Sequence, residues 1–234
     1  MSDMGRQPPF RQPPRKDQAI VAFDFDGTLT IRDSFTEFLR WRAGPAAWAL
    51  GLVRMAPAVA TYARDRDRGR IKAASVREFL RGVDRATLEA DAERFAGRIW
   101  RRFMRPDALA VWNAWGDRGA HRVIVTASPE TTVAPFARRL GAEALLGTPL
   151  LFDADDRVTG AFAGPNCRGE EKVRRLRTVY GDDVRLAAAY GDTSGDTEML
   201  EIAGEKGFRV FTGRPRASRP EPEGGRARPW SLIG

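Results

Sequence analysis

Residues Ile20 to Thr30 read IVAFDFDGTLT, and this stretch decides the fold. Four β-favouring apolar residues, Ile20, Val21, Ala22 and Phe23, end in two carboxylates, Asp24 and Asp26, on a turn that Gly27 and Thr28 allow to bend sharply. A strand that finishes in paired acids holds charge against charge: at ~4 Å the repulsion is about 4 kcal/mol at an effective dielectric of ~20. A cation, or a proton that moves during reaction, relieves it. A solvated loop is the bland alternative. A calcium loop is a second, but Leu29 and Ile31 interrupt the alternation of oxygen ligands it needs.

Two more stretches downstream repeat the theme. His121 to Thr126 (HRVIVT) reads as a buried strand running into Ser128, Pro129 and Glu130, a helix start. Its end, with Thr126 and Ser128, is where free backbone N–H groups favour an anion, although the hydroxyls can equally be plain caps. Arg185 to Tyr190 is a further strand, and it ends in Gly191-Asp192-Thr193-Ser194-Gly195-Asp196. Between them, Gly169-Glu-Glu-Lys172 opens a helix with Lys172 in its first turn, where a cation opposes the helix dipole, so its charge is wanted by something in front of the helix. Leu145 to Phe162 reads as a strand and then a hairpin turning on Asp155 and Asp156, and Phe208 to Phe211 as a last short strand.

This β–α alternation predicts an α/β fold with a Rossmann-like parallel-sheet core, in which ligands gather at the strands' carboxyl ends. The pattern changes after the first turn. Phe35, Phe38 and Leu39 follow at helical spacing behind Asp33 and Ser34, Ser75 to Glu78 has the form of a capping box, and Leu88, Ala92, Phe95, Ile99 and Phe103 step by three or four. Residues 33–108 therefore read as an all-helical cap inserted after the first strand, with 19–32 and 109–213 forming the core. The segments 1–18 and 214–234, rich in Pro, Arg and Gly, read as disordered tails.

Composition narrows the function. One cysteine, Cys167, rules out an internal disulfide, and one histidine, His121, leaves no histidine zinc cluster and no obvious Ser-His-Asp triad. Catalysis must rest on carboxylates and lysine. With no secretory signal in view, the expected location is the cytoplasm. The net charge of +8 is carried by the cap segment (+6) and the tails (+5), away from the acidic motifs, which favours drawing an anionic substrate or surface toward the site. Residues 43–63 hold a single charge, Arg54, yet Ala, Gly and Pro dominate, so a membrane span is disfavoured. A buried lid helix pair is the preferred reading. A surface-lying contact with anionic membrane, through Trp41, Trp48 and Met55 among arginines, is the second.

Carboxylates, a hydroxyl and one ammonium form a set suited to holding Mg²⁺ against a phosphate. With those residues in order, the chain resembles the haloacid dehalogenase superfamily of phosphatases, in the phosphoserine-phosphatase-like subfamily IB with a helical cap. DFDGTLT is similar to the first motif, VIVTAS to the second, Lys172 in NCRGEEKV to the third and YGDTSGDTEML to the fourth.

The resemblance implies that Asp24 attacks phosphorus to form an aspartyl-phosphate and that Asp26 protonates the leaving alcohol and later activates water. It further implies that Mg²⁺ is held by Asp24, the backbone carbonyl of Asp26, Asp192 and Asp196, and that Thr126, Ser128 and Lys172 bind the phosphoryl group. The place where phosphoserine phosphatases carry a substrate-holding Glu is Asp33 here. FLRWRAG and the Asn166-to-Lys172 run are similar to the phosphatidylglycerophosphatase C family. The expected substrate is thus an anionic lipid head-group phosphate, handled by an enzyme that is cytoplasmic and peripheral at the inner membrane face. A soluble phosphomonoester is the alternative. A non-catalytic basic protein whose Arg-rich tails hold nucleic acid is the remote one, and no nucleic-acid partner is expected. Oligomeric state is not legible.

Overall fold

A computed structural model describes residues 12–65 and 68–215. The tail expectations for 1–11 and 216–234 lie outside the described residues. Residues 12–18 run without helix or strand, and the Gln12 N–H donates to the Glu143 carbonyl at 3.2 Å.

The first strand, β1 (Ile20–Phe23), is the middle of a five-stranded parallel sheet. Its neighbours are β2 (His121–Pro129) on one side and β6 (Leu186–Gly191) on the other, with β3 (Ala144–Thr148) and β7 (Ala203–Phe208) at the edges, in the order β3-β2-β1-β6-β7. A central parallel strand is covered on both faces, so Val21, Ala22 and Phe23 have no exposed surface. Strand β2 also continues past Thr126, with a register irregularity between Val125 and Pro129 that carries Thr126 and Ser128 over the carboxyl end of β1.

Between Thr30 and Met104, which pair as an isolated bridge, lies the helical insert: α1 (Ser34–Arg54), α2 (Ala56–Asp65), α3 (Arg68–Leu80) and α4 (Arg85–Phe103). Its entry and exit are tied side by side, because the Ile31 N–H donates to Phe103 O at 3.0 Å and the Arg105 N–H to Leu29 O at 2.9 Å. Asp33 caps α1 by accepting from the Thr36 N–H at 2.7 Å, and Gly44, at φ 73°, bends that helix ahead of Pro45. The apolar stripe of α4 packs on α6 (Glu130–Leu140). There Phe136 meets Phe25 at 5.3 Å and Phe95 at 6.3 Å between ring centroids, and Phe95 in turn meets Phe38 at 5.5 Å. Each such buried ring contributes roughly 1.5–3 kcal/mol, so the base of the insert is fixed to the sheet layer.

The remaining elements are α5 (Pro106–Asp117), β4 (Leu150–Phe152) paired antiparallel with β5 (Val158–Phe162), α7 (Glu170–Tyr180) and α8 (Thr197–Glu201). The β4–β5 hairpin, which the sequence places only as a hairpin, docks on the insert. Asp84 bridges Arg157, and Arg85 pairs with Asp156 at 2.7 Å.

Three expectations need correction. Ser75 is inside α3, its hydroxyl donating to Ile71 O at 2.9 Å, so the capping-box pattern there does not start a helix. The last strand is β7, ahead of Phe208–Phe211, and its edge position leaves its middle charged residues in solvent. His121, the first residue of β2, is 1% exposed and its Nε2 lies 2.9 Å from the Tyr180 hydroxyl. Most consequentially, residues 43–63 are not a buried pair. Leu50, Leu52, Val53 and Val59 are 42–70% exposed and account for four of the seven large hydrophobics left exposed among the described residues. Among the residues of this stretch whose burial is described, only Gly51 and Met55 are buried, and Gly51 owes its burial to close approach: a Cβ there would meet Phe79 at 2.3 Å.

Candidate active site

The carboxyl ends of β1, β2 and β6 and the first turn of α7 converge on one small cleft of about 70 Å³. Asp24 directly follows β1, and its N–H donates to Tyr190 O of β6 at 2.8 Å, which fixes the start of the turn. Gly27, at φ 84°, carries the turn over Asp192, where a Cβ would meet Asp192 Oδ2 at 2.3 Å; only glycine lets these two segments touch. Arg105 clamps the same turn from behind, donating from Nε to Gly27 O and Thr30 O at 3.1 Å each.

Lys172 is the hub. It is 2% exposed, and Nζ donates to Asp24 Oδ1 at 2.6 Å, Asp196 Oδ1 at 2.6 Å and Val125 O at 2.7 Å. All three ammonium protons are engaged, which explains why α7 tolerates a cation in its first turn. Burial pulls the Lys172 pKa down, but Asp24 and Asp196 outweigh it and the net shift is upward, so the group is charged. The side chains of Asp24, Asp192 and Asp196 offer oxygens within 4.8 Å of one another.

Burial pushes the Asp24 carboxyl up to about 7 against the pull of Lys172, and burial together with Asp196 also raises Asp192. Asp196 moves the other way: desolvation is outweighed by Lys172 and by hydrogen bonds from Thr193. Three acids sharing one ammonium, two of them strained toward neutrality, are a donor set that fits a hard divalent cation with oxygen ligands.

Asp26 stands apart from that trio. Its Oδ1 accepts from the Ser34 N–H at the start of α1 at 2.7 Å, and its Oδ2 accepts from the Ser128 hydroxyl. Its pKa is raised, by burial first and then by Asp33, against opposing pulls from Lys72 and Ser128. Thr126 is fully buried, lines the cleft and accepts from the Ser128 N–H at 3.1 Å, leaving its own proton to donate. Ser128 does not line the cleft; its hydroxyl is committed to Asp26.

The sequence reading passed over several residues of this cleft. Asn166, Arg168 and Thr193 line it, and so does Lys72, which reaches in from α3 with Nζ 3.3 Å from Ser128 Oγ and 3.9 Å from Asp33 Oδ2. Lys72 left one usable signal: it is the only lysine among the sixteen basic residues of 33–108. Arg105 left none, sitting in a run of arginines. Cleft size alone does not locate this chemistry, since a larger one of about 530 Å³ lies beside Trp115 and Phe211.

Comparison with known proteins bears on the same residues. A family model described as haloacid dehalogenase-like hydrolase matches residues 21–201. Protein CicA of Caulobacter vibrioides (strain NA1000 / CB15N) is 59% identical over 196 residues, covering 84% of this chain and 88% of that protein. Phosphoserine phosphatase SerB1 of Mycobacterium tuberculosis (strain ATCC 25618 / H37Rv) is 28% identical over 210 residues, covering 83% of this chain and 65% of that protein. Among solved structures, a Bordetella pertussis Tohama I protein of unknown function superposes with a TM-score of 0.68 at 24% identity, covering 82% of this chain and 89% of that one.

Proposed function

The chain belongs to the haloacid dehalogenase-like hydrolase family, and from that membership and the cleft geometry we propose that it is a Mg²⁺-dependent phosphomonoester phosphatase working through an aspartyl-phosphate. The observation that carries this reading is the Lys172 ammonium hydrogen-bonded at once to Asp24, Asp196 and Val125 O, with Asp192 alongside. Segments 148 residues apart meet at one charge.

In this reading an Asp24 oxygen attacks phosphorus as the bond to the leaving oxygen breaks, and Asp26 gives that oxygen its proton. Asp26 suits the task because burial keeps its carboxyl protonated to higher pH than usual, while Ser34 and Ser128 hold its orientation. Asp26 then takes a proton from water, which attacks the phosphorus of the acyl phosphate; inorganic phosphate leaves and Asp24 is restored. Thr126 and Lys172 face the transferring phosphoryl group, Lys172 as a fixed charge whose protons already bind protein oxygens. Asp24, Asp192, Asp196 and the Asp26 carbonyl would hold Mg²⁺, which would supply the charge that lets a carboxylate approach a phosphate dianion.

For the substrate, we favour an anionic lipid head-group phosphate met at the inner membrane face by a protein of the cytoplasm. The support is the tip of the insert, where Leu50, Leu52, Val53 and Val59 face solvent beside Arg54 and Arg64. No helix among the described residues is long and apolar enough to cross a membrane, so the contact is a surface one. The relative named phosphoserine phosphatase supports the soluble alternative.

The test is Mg²⁺-dependent phosphate release from a lipid monoester in anionic vesicles and from soluble monoesters, side by side, with Asp24→Asn as control. Release from the vesicles that is faster than from any soluble compound, and absent in Asp24→Asn, supports the reading; equal or faster release from soluble compounds defeats the lipid preference.

A further inference from the structure

We propose that Arg105 is a positioning residue for the metal site: from the exit of the insert it fixes the turn after β1 against Asp192, and so sets the spacing of the oxygens that would hold Mg²⁺. This rests on the metal site of the phosphatase reading and names a residue outside the cleft that tunes it.

The turn Phe25–Leu29 does not hold itself. Asp26 (φ −76°, ψ 121°) and Gly27 (φ 84°, ψ −20°) depart from helical geometry inside it, so the peptide groups around Gly27 need other partners. The Gly27 N–H donates to Thr30 Oγ at 3.3 Å, while Gly27 O and Thr30 O both accept from Arg105 Nε at 3.1 Å. The Asp26 carbonyl shares a peptide plane with the Gly27 N–H, so the hold on Gly27 decides where that carbonyl points. The turn also rests directly on Asp192. A Cβ on Gly27 would meet Asp192 Oδ2 at 2.3 Å, and the Thr28 hydroxyl lies 3.4 Å from Asp192 Oδ1. Any shift of the turn therefore moves the Asp26 carbonyl relative to Asp192, two of the four groups assigned to the ion. Mg²⁺ demands near-ideal octahedral geometry and tolerates such shifts poorly.

Arg105 is placed as a brace between two segments. It is half-buried and makes no ion pair with a carboxylate among the described residues; its guanidinium donates to backbone carbonyls, Nη1 reaching Gly213 O at 3.1 Å. Its own N–H donates to Leu29 O at 2.9 Å. Gly213 is held in turn by Asp107, whose Oδ2 accepts from the N–H groups of Thr212 and Gly213 at 2.8 and 2.7 Å. One side chain thus ties the turn after β1 to the segment after β7, and its far end is anchored. The choice of residue fits this task. A planar fork can hold several carbonyls at fixed separations, whereas a lysine supplies the same charge as a single point.

Melting temperature against Mg²⁺ concentration, without substrate, tests this in the unaltered protein, Arg105→Lys and Arg105→Met. A cation that binds only the folded protein raises Tm according to its Kd, so the curve reads affinity without turnover. Both variants are expected to need roughly tenfold more Mg²⁺ for the same rise, the usual loss when a group supporting the ligands is removed. Phosphate release from 4-nitrophenyl phosphate should show the same displacement in Mg²⁺ dependence. Its KM at saturating Mg²⁺ should stay nearly unchanged, because Arg105 does not line the cleft. Asp107→Asn, which loosens the far anchor, should act in the same direction by a smaller factor.

An Arg105 that served stability alone would lower Tm equally at every Mg²⁺ concentration, and that result overturns the proposal. So does an Arg105→Lys protein with unaltered Mg²⁺ affinity, which would assign the role to charge and not to geometry. An unaltered protein whose Tm ignores Mg²⁺ overturns the metal site and this role with it. Mg²⁺ binding without release of phosphate from any monoester overturns the phosphatase reading alone.

Discussion

The carboxyl edge of the sheet and the tip of the helical insert obey opposite rules. At the edge, polar groups are buried and nearly every one has a named partner: Lys172 spends three protons, Asp196 accepts from Lys172 and Thr193, and Asp26 is held at both oxygens. At the tip, apolar groups are exposed and nothing among the described residues covers them. The difference teaches where each region's free energy comes from. The edge is held by mutual compensation of charges that would be costly alone, so single changes there are felt throughout. The tip is held to the insert by a few contacts, Trp48 stacked on Phe79 at 4.9 Å, Arg54 paired with Glu78 at 3.4 Å and the buried Gly51 and Met55, so the rest of its apolar surface is left to serve something outside the molecule.

The largest effect expected from breaking this contrast is catalytic. Asp24→Asn should lower Mg²⁺-dependent phosphate release by roughly three orders of magnitude or more while the protein stays folded, measured by kcat together with circular dichroism. Next is stability. Lys172→Met leaves Asp24 and Asp196 buried without their cation and should cost about 3–5 kcal/mol in urea unfolding without Mg²⁺. A loss below about 1 kcal/mol would mean the edge is not the compensated network described here.

The sheet's opposite edge sharpens the comparison. His121 begins β2, and burial depresses its pKa below the usual 6.5 although Glu143 pulls it upward. The unfolded chain therefore binds the proton more readily, and this histidine's contribution to stability is full above about pH 6.5 and is lost as pH falls through the lower folded value. Denaturant midpoints measured across that window, in the unaltered protein and in His121→Gln, should differ in slope. The smallest effect is at the tip: Leu50→Asp with Val53→Asp should change stability by about 0.5 kcal/mol or less. The same pair should abolish co-sedimentation with anionic vesicles; unchanged sedimentation would remove the membrane contact from the account.

Much of the sheet was legible because its signals are local and strong. IVAFDFDGTLT has a β run, paired acids and a turn glycine within eleven residues, and Lys172 drew notice by sitting against a helix dipole. The tip was misread for a physical reason: a stretch dominated by Ala, Gly and Pro has the same periodicity whether it is covered or bare, and only the fold decides. Strand β7 was misplaced because its charged middle and two glycines suppress the apolar run that marked the other strands. Lys72 escaped because nothing in α3's pattern says that one of its turns points at Asp33 and Ser128. Ser75 to Glu78 shows that a capping pattern also occurs inside helices.

The most direct test of the central assignment is to trap the covalent intermediate. Acid-quenched protein, caught during turnover of a phosphomonoester with Mg²⁺ and then treated with borohydride, should yield homoserine at position 24 in the peptide spanning Ile20–Thr30, and none in Asp24→Asn. Turnover that leaves Asp24 unmodified in such an experiment, or that places the label on another residue, would contradict the account.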